Sequence, residues 1–169
     1  MATALIILAR KGYQDLEFAG TKKGLAEAGF AIVIAAQETG TCFGKFGGTQ
    51  EASVALQDID ISQYNRIAFI GGPGAGALAE DPVALKIANE AYRANMPLGA
   101  ICIAPIILAK ARVLNGKRAT VWDAGGEQIA LLEQYGATYT GERVTVDGNI
   151  VTGNGPEAAE EFGRTFAAL

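Results

Sequence analysis

The sequence predicts an α/β protein in which a mainly parallel sheet lies between two layers of helices, a three-layer sandwich. Two observations support this prediction. Short apolar segments alternate with segments of helical pattern along the 169 residues. The apolar segments have no polar face, which is typical of parallel strands that helices cover on both sides. Four such strands are predicted, at residues 4–9, 31–36, 67–70 and 98–101.

Helix signals separate these strands. Asp15 is predicted to cap a helix that runs to residue 28, where Gly29 stops it. Asp81 and Pro82 supply a cap and a first-turn proline for a second helix, which is predicted to extend to about residue 94. We therefore expect one helix after the first strand and another before the fourth.

The remaining segments carry turn signals. Glycines interrupt residues 38–60, which we interpret as a loop with a short strand or hairpin. Residues 143–152 predict a small β-hairpin whose two-residue turn is Asp147-Gly148. Pro156 begins a last predicted helix, at residues 157–168, which has acidic residues in its first turns, as the helix dipole favours.

The composition excludes several classes of protein. The chain has no histidine, which excludes a Ser-His-Asp triad, a Cys-His pair and a histidine-ligated metal. Its net charge is −4 and its basic residues are scattered, so nucleic acid is not an expected partner. No apolar run approaches the ~18 residues that cross a membrane. We expect one domain, residues 1–169, in the cytoplasm, with Cys42 and Cys102 as free thiols.

Cys102 has the sequence context of a nucleophile. It ends the fourth strand, has Ala100 and Ala104 two residues away on either side, and is followed by Pro105. Small residues around a central nucleophile are typical of a strand-to-helix elbow that leaves the side chain projecting. A helix N-terminus at this point would lower the pKa of the thiol. The alternative is a buried structural cysteine at a strand-helix junction.

A glycine-rich loop follows the third strand. Gly71 and Gly72 begin it, and its backbone N–H groups are candidates for holding an oxyanion. A purely structural turn is the alternative. Residues 74–79 also match a dinucleotide-binding pattern, but no acidic residue ends a strand about 20 residues later, so we do not predict a cofactor.

Glu17 is the third candidate. It lies in the first turn of the helix after the first strand, on the sheet edge where Cys102 is expected. A carboxyl beside a thiolate tends to be protonated, because two adjacent negative charges are costly, and such a group donates a hydrogen bond or moves a proton. The alternative is a solvated acid that stabilises the helix N-terminus.

Four motifs of the chain, and their order along the sequence, resemble those of the ThiJ/PfpI superfamily. They are YQDLE at 13–17, GG at 71–72, AICIAP at 100–105 and VDGNIVT at 146–152. The resemblance covers essentially the whole chain. It implies a flavodoxin-like sandwich and a homodimer or larger homo-oligomer. It also implies a reactive Cys102 hydrogen-bonded to Glu17, with the amides of Gly72 and of Ile103 as oxyanion donors.

The chain departs from the family at the positions where histidine is expected. PfpI-like members have histidine directly after the cysteine, where this chain has Ile103, and a glutamate from a neighbouring subunit, where it has Pro82. Deglycase-like members often have histidine at the position of Trp122. We expect Trp122 and Asn154 to line the pocket, with Ile103 and Trp122 as bulky apolar walls.

These residues leave four hypotheses for function. The first is a cysteine-dependent enzyme acting on small reactive carbonyls, similar to glyoxalase III or a deglycase, with a Cys102-Glu17 pair. The second is a redox-sensing or chaperone-like stress protein in which an oxidant reacts with the thiol of Cys102. A catalytically silent homologue is the third. An intracellular cysteine peptidase is disfavoured, because no histidine protonates the amine leaving group. No metal is predicted, since the cysteines lie sixty residues apart, and Cys42 is interpreted as a bystander.

Overall fold

The computed structural model describes the whole chain, Met1–Leu169. Its strands are β1 Thr3–Ile7, β2 Lys11–Tyr13, β3 Ala31–Ala36, β4 Gly40–Gly44, β5 Thr49–Ala52, β6 Val54–Ala55, β7 Arg66–Phe69, β8 Leu98–Ile101, β9 Arg118–Ala119, β10 Thr138–Tyr139, β11 Val144–Asp147 and β12 Ile150–Gly153. Its helices are α1 Asp15–Glu27, α2 Ala75–Ala79, α3 Pro82–Arg93, α4 Pro105–Lys110, α5 Glu127–Gln134 and α6 Ala159–Ala168. Short 3-10 turns lie at Leu56–Asp58, Ile61–Gln63 and Pro156–Ala158.

A seven-stranded sheet forms the centre of the molecule, in the order β11-β12-β8-β7-β1-β3-β6. Every neighbouring pair in it is parallel except the antiparallel hairpin β11-β12. The predicted mainly parallel α/β architecture and its small hairpin are therefore confirmed. All four predicted strands are present, as β1, β3, β7 and β8.

Helices cover both faces of this sheet. Leu5 and Ile7 of β1 belong to a core shared with α2, α3 and α4, whereas Ile6 and Leu8 belong to a second core shared with α1 and α6. Successive residues of a strand point to opposite faces, so a fully apolar β1 contributes to both cores. This is the physical reason why its sequence lacks a polar face.

Two details of the predicted elements are wrong. The cap of α1 is Gln14, whose Oε1 accepts hydrogen bonds from the amides of Leu16 and Glu17, while Asp15 is the first residue of the helix. The turn of the small hairpin is Gly148-Asn149 rather than Asp147-Gly148, because Asp147 pairs with Ile150. Gly148 adopts a positive φ of 60°, which a glycine adopts without steric cost.

Residues 38–60 form the predicted hairpin, as β4 and β5, and continue into β6 at the edge of the sheet. The sequence did not predict α2, or the segment from β9 through α5 to β10. Strands of two residues are too short to show a period, and the mixed pattern of residues 118–139 contains no clear signal. No helix of the structure combines the length and apolar character needed to span a membrane.

Candidate functional site

The candidate site lies at the carboxyl edge of three adjacent strands, β8, β7 and β1. Cys102 follows β8 directly, Gly71 and Gly72 follow β7 after one residue, and the chain beyond β1 leads into the helix that carries Glu17. In parallel sheets the loops at this edge converge, which is why residues far apart in sequence meet here.

Cys102 occupies the predicted elbow. Its φ is +65°, a left-handed conformation that costs a non-glycine residue roughly 1–2 kcal/mol. Two backbone hydrogen bonds hold it there: its N–H donates to Gly153 O at 2.8 Å, and its carbonyl accepts from Trp122 N–H at 2.9 Å. Strained residues that persist because their surroundings hold them are concentrated at functional sites. The side chain is 6% exposed and borders a cavity.

Glu17 lies behind the cysteine and is fully buried. Neither of its carboxyl oxygens has a hydrogen-bond partner of regular geometry. The Cys102 thiol is nevertheless close enough for each group to shift the pKa of the other. Burial raises the pKa of Glu17 to about 8, and this increase is limited by the contact with Cys102 and by the positive charge of Lys45. The carboxyl is therefore mostly protonated at neutral pH, and the cause is its burial rather than the adjacent thiolate predicted from the sequence.

The predicted lowering of the thiol pKa is wrong. Burial raises the pKa of Cys102, and the negative charge of an ionised Glu17 raises it further. The backbone N–H groups of Ile103 and Gly72 act in the opposite direction but do not compensate. Helix α4 begins only at Pro105 and has six residues, so its dipole is a weak influence on the sulfur.

The two groups consequently titrate as a pair. The pair keeps both protons at neutral pH and releases the first near pH 8, given the pKa of Glu17. Glu17 has the lower pKa of the two groups, so it ionises first as pH rises, and the Cys102 thiol keeps its proton until a base removes it.

Gly71 is the residue that allows the cysteine and the glutamate to approach each other. A Cβ at this position would lie 2.6 Å from Cys102 Cβ, 2.6 Å from Ile101 O and 3.0 Å from Glu17 Oε1. The adjacent Gly72 has φ +110°, and a Cβ there would lie 2.4 Å from Gly12 O. Any larger side chain at either position would displace the backbone of the site.

A cavity of about 280 Å³ borders the cysteine. It is lined by Gln14, Lys45, Gly72, Pro73, Cys102, Ile103, Trp122 and Pro156. Pockets for drug-sized ligands occupy roughly 300–1,000 Å³, so this one fits a small molecule. Ile103 and Trp122 form walls of the cavity, as expected, and leave it open.

Asn154 does not line this cavity, contrary to the prediction. It lines an adjoining groove of about 440 Å³, which shares Gln14, Trp122 and Pro156 with the first. Sequence reasoning missed Gln14 and Lys45 as lining residues. The sequence offers no local signal for Lys45, because it comes from the β4-β5 hairpin, whose position over the site depends on tertiary structure.

Cys42 lies apart from this cavity. Its side chain is completely buried in β4, and burial raises its pKa. Both cysteines are free thiols, as expected. No cluster of three or more cysteine, aspartate or glutamate side chains has the arrangement of a metal site.

An α/β sandwich with a cysteine on a strained elbow and a buried acid beside it defines the class of protein. The chain belongs to the DJ-1/PfpI family, whose model matches residues 2–169. The resemblance identified from the sequence motifs is therefore confirmed.

Named relatives lie at moderate sequence distance. A deglycase from Thermococcus kodakarensis, TK1284, is 26% identical over 98% of each chain. The glutathione-independent glyoxalase DJR-1.2 of Caenorhabditis elegans is 27% identical over 95% of this chain and 84% of its own length. The crystal structure of a ThiJ/PfpI domain protein from Brachyspira murdochii matches 99% of this chain and 96% of its own, with a TM-score of 0.94 and 25% identity.

Proposed function

We propose that this protein is a cysteine-dependent enzyme that converts small reactive carbonyl compounds, with Cys102 as nucleophile and Glu17 as the group that moves protons. The observation that carries the proposal is the buried Glu17 beside the elbow cysteine, with its pKa raised to about 8. A group whose pKa lies near the working pH both donates and accepts protons efficiently. Similar proteins named deglycase and glyoxalase support the same class of substrate.

In the first step the ionised Glu17 carboxylate takes the proton of the Cys102 thiol as the sulfur adds to the aldehyde carbon of a 2-oxoaldehyde such as methylglyoxal. A C–S bond forms and the carbonyl π electrons move to oxygen. The amides of Gly72 and Ile103, which face the sulfur, stabilise this oxyanion. Glu17 then gives its proton to the oxyanion, which leaves a hemithioacetal and a carboxylate.

The second step moves hydrogen between adjacent carbons. The Glu17 carboxylate removes the proton from the former aldehyde carbon and returns it to the neighbouring carbon. The proton of the hemithioacetal hydroxyl passes to the oxygen of the second carbonyl, which becomes a hydroxyl, while the first carbon regains its carbonyl. The product is a thioester on Cys102. Water hydrolyses the thioester to a 2-hydroxy acid, which releases one proton to solvent, and the Cys102 thiol and the Glu17 carboxylate are restored, so no external oxidant or reductant is needed.

The size of the site and its groups disfavour peptide hydrolysis. The cavity of about 280 Å³ is small, and no histidine is present to protonate an amine leaving group. An open cavity at Cys102 also disfavours the catalytically silent alternative.

The test is formation of lactate from methylglyoxal by the purified protein. We expect turnover by the wild type and a loss of at least about 100-fold in kcat/KM in Cys102→Ala, because the covalent step disappears. Cys42→Ala serves as the control for loss of a thiol remote from the cavity and should retain turnover. Equal rates in the wild type and Cys102→Ala would refute the proposal.

A second candidate function, sensing of oxidants, is supported by the different environments of the two cysteines. Cys102 borders a cavity, whereas Cys42 is fully buried. The Glu17 carboxylate takes the thiol proton as the Cys102 sulfur attacks peroxide, whose O–O bond breaks to give a sulfenic acid and water. A second peroxide gives a sulfinate and another water, and the amides of Gly72 and Ile103 and the proton of Glu17 would stabilise the sulfinate.

Mass spectrometry after mild peroxide treatment tests this second function. We expect a gain of two oxygen atoms on the peptide that contains Cys102 and none on the peptide that contains Cys42. In Cys102→Ala the gain should disappear. Oxidation that proceeds equally on both cysteines would argue against a dedicated sensor.

We also propose that the chain acts as one domain in the cytoplasm and forms a homodimer or larger homo-oligomer. The family model that spans residues 2–169 supports the single domain. Leu16, Phe46 and Trp122 are 57%, 65% and 38% exposed and lie along one groove beside the site, which supports an interface there.

A further inference from the structure

The loop of the β4-β5 hairpin, residues 44–48, is held over the candidate site by Asp15. The amides of Phe46 and Gly48 donate to the two carboxylate oxygens of Asp15, at 2.8 and 2.9 Å. Within the loop, Lys45 N–H donates to Tyr13 O at 2.8 Å. Asp15 begins the helix that carries Glu17, so the loop is anchored to the frame of the site although its surface is exposed.

Lys45 brings a positive charge to the cavity through this loop without a direct ion pair. It is the one charged residue of the cavity lining, and it has no carboxylate partner within 4.0 Å. Its ammonium lies 5.3 Å from the centroid of the Phe46 ring. Its charge also reaches Glu17, whose pKa it lowers. The whole chain has a net charge of −4, whereas the lining of this cavity carries the single positive charge of Lys45.

Gln14 adds a fixed hydrogen-bond donor to the same lining. Its Oε1 accepts from the amides of Leu16 at 2.7 Å and Glu17 at 3.0 Å, which holds the side chain in one orientation. The Nε2 group has no acceptor within the protein and remains available for a ligand. A positive charge and an amide donor in one small cavity match the needs of a carboxylate.

We propose that Lys45, together with Gln14, makes the site selective for 2-oxoaldehydes whose carbon chain ends in a carboxylate. This inference rests on the proposed function, because it names the substrate class of the same cavity. Lys45 holds the carboxylate while the aldehyde carbon lies against Cys102. The 2-hydroxy acid product carries a carboxylate of its own, so Lys45 also provides a binding partner for the product.

Steady-state kinetics with two probes test the selectivity. The anionic probe is 4,5-dioxopentanoate, and the neutral probe is methylglyoxal. In Lys45→Met, which keeps most of the length of the side chain without its charge, we expect the ratio of kcat/KM for the anionic to the neutral probe to fall about fivefold, the upper range for an exposed ion pair. Lys45→Arg should retain the ratio. In the wild type the ratio should shrink at high salt.

Lys22→Met is the matched control. Lys22 is an exposed lysine of α1 with its ammonium 5.8 Å from the Phe18 ring, outside the lining of the Cys102 cavity. Its replacement removes the same charge and should leave the ratio unchanged. A ratio that is the same in Lys45→Met and in the wild type would overturn the inference, as would an equal fall in Lys22→Met.

A binding measurement separates this inference from the proposed function. Trp122, the one tryptophan of the chain, lines the cavity, so its fluorescence reports occupancy without turnover. We expect 4-oxopentanoate to bind more tightly than the neutral pentan-2-one in the wild type and to lose this advantage in Lys45→Met. If no 2-oxoaldehyde is converted but this result holds, the proposed function fails and the binding preference stands. Equal binding of the two probes would overturn the preference.

Discussion

Replacement of Glu17 by glutamine is expected to remove a large part of the pH dependence of stability. In the folded protein the pKa of Glu17 is raised from 4.5 to about 8, because the fully buried carboxyl is costly to ionise. Between these values the unfolded chain has released the proton and the folded chain has kept it. Stability is therefore highest below about pH 4.5 with respect to this group and falls as pH rises toward 8.

Urea unfolding of the wild type and Glu17→Gln at a series of pH values measures this effect. The introduced amide is neutral in both the folded and the unfolded state, so we expect the variant to gain stability relative to the wild type as pH rises, by several kcal/mol by about pH 8. The variant should at the same time lose at least about 100-fold in lactate formation, since an amide neither accepts nor releases a proton in this pH range.

Glu27→Gln is the control for loss of a negative charge on the same helix. Glu27 is exposed near the end of α1, and its replacement should leave the pH dependence of the wild type in place. If wild type and Glu17→Gln lost stability in parallel from about pH 5 to 8, the raised pKa of Glu17 would be refuted.

Replacement of Gly24 by alanine is expected to be strongly destabilising. Gly24 lies in α1 where this helix crosses α6, and a Cβ there would lie 2.3 Å from Gly163 C and 2.4 Å from Gly163 O. These are backbone atoms, so the two helices must separate to make room. Overpacking costs roughly 1–3 kcal/mol and more where the backbone is involved, against a gain of about 1 kcal/mol in helix propensity.

We expect a net loss of about 2 kcal/mol, seen as a decrease in Tm of about 4–8 °C for a chain of this size. Gly76→Ala in α2 is the matched control, because a Cβ there meets no atom within 4 Å and the φ of Gly76 is not in the left-handed region. The control should be neutral or stabilising. A Gly24→Ala protein as stable as Gly76→Ala would show that α1 and α6 adapt without cost.

The central strands were predictable because a strand that is buried on both faces is apolar at consecutive positions. A run such as 4–9 has no polar position, and this is visible without knowing its neighbours. The turn of the small hairpin was displaced by one residue, since an Asp-Gly dipeptide favours a turn but the pairing of Asp147 with Ile150 selects which residues form it. The cap of α1 was assigned to Asp15 for a similar reason. An acidic residue at the start of a helix either caps that helix or accepts hydrogen bonds from another loop. Asp15 does the second, which depends on where the β4-β5 hairpin lies in the folded chain.

The sequence by itself determined the fold class, the elbow at Cys102 and the absence of imidazole chemistry, because each depends on residue types within a few positions or on composition alone. The tertiary structure decided the electrostatics of the site. The thiol pKa is raised rather than lowered, because burial and Glu17 outweigh the amides of Gly72 and Ile103. Lys45 reaches the cavity from a separate hairpin. Desolvation and charge interactions depend on distances in space, and those distances exist only once the chain is folded.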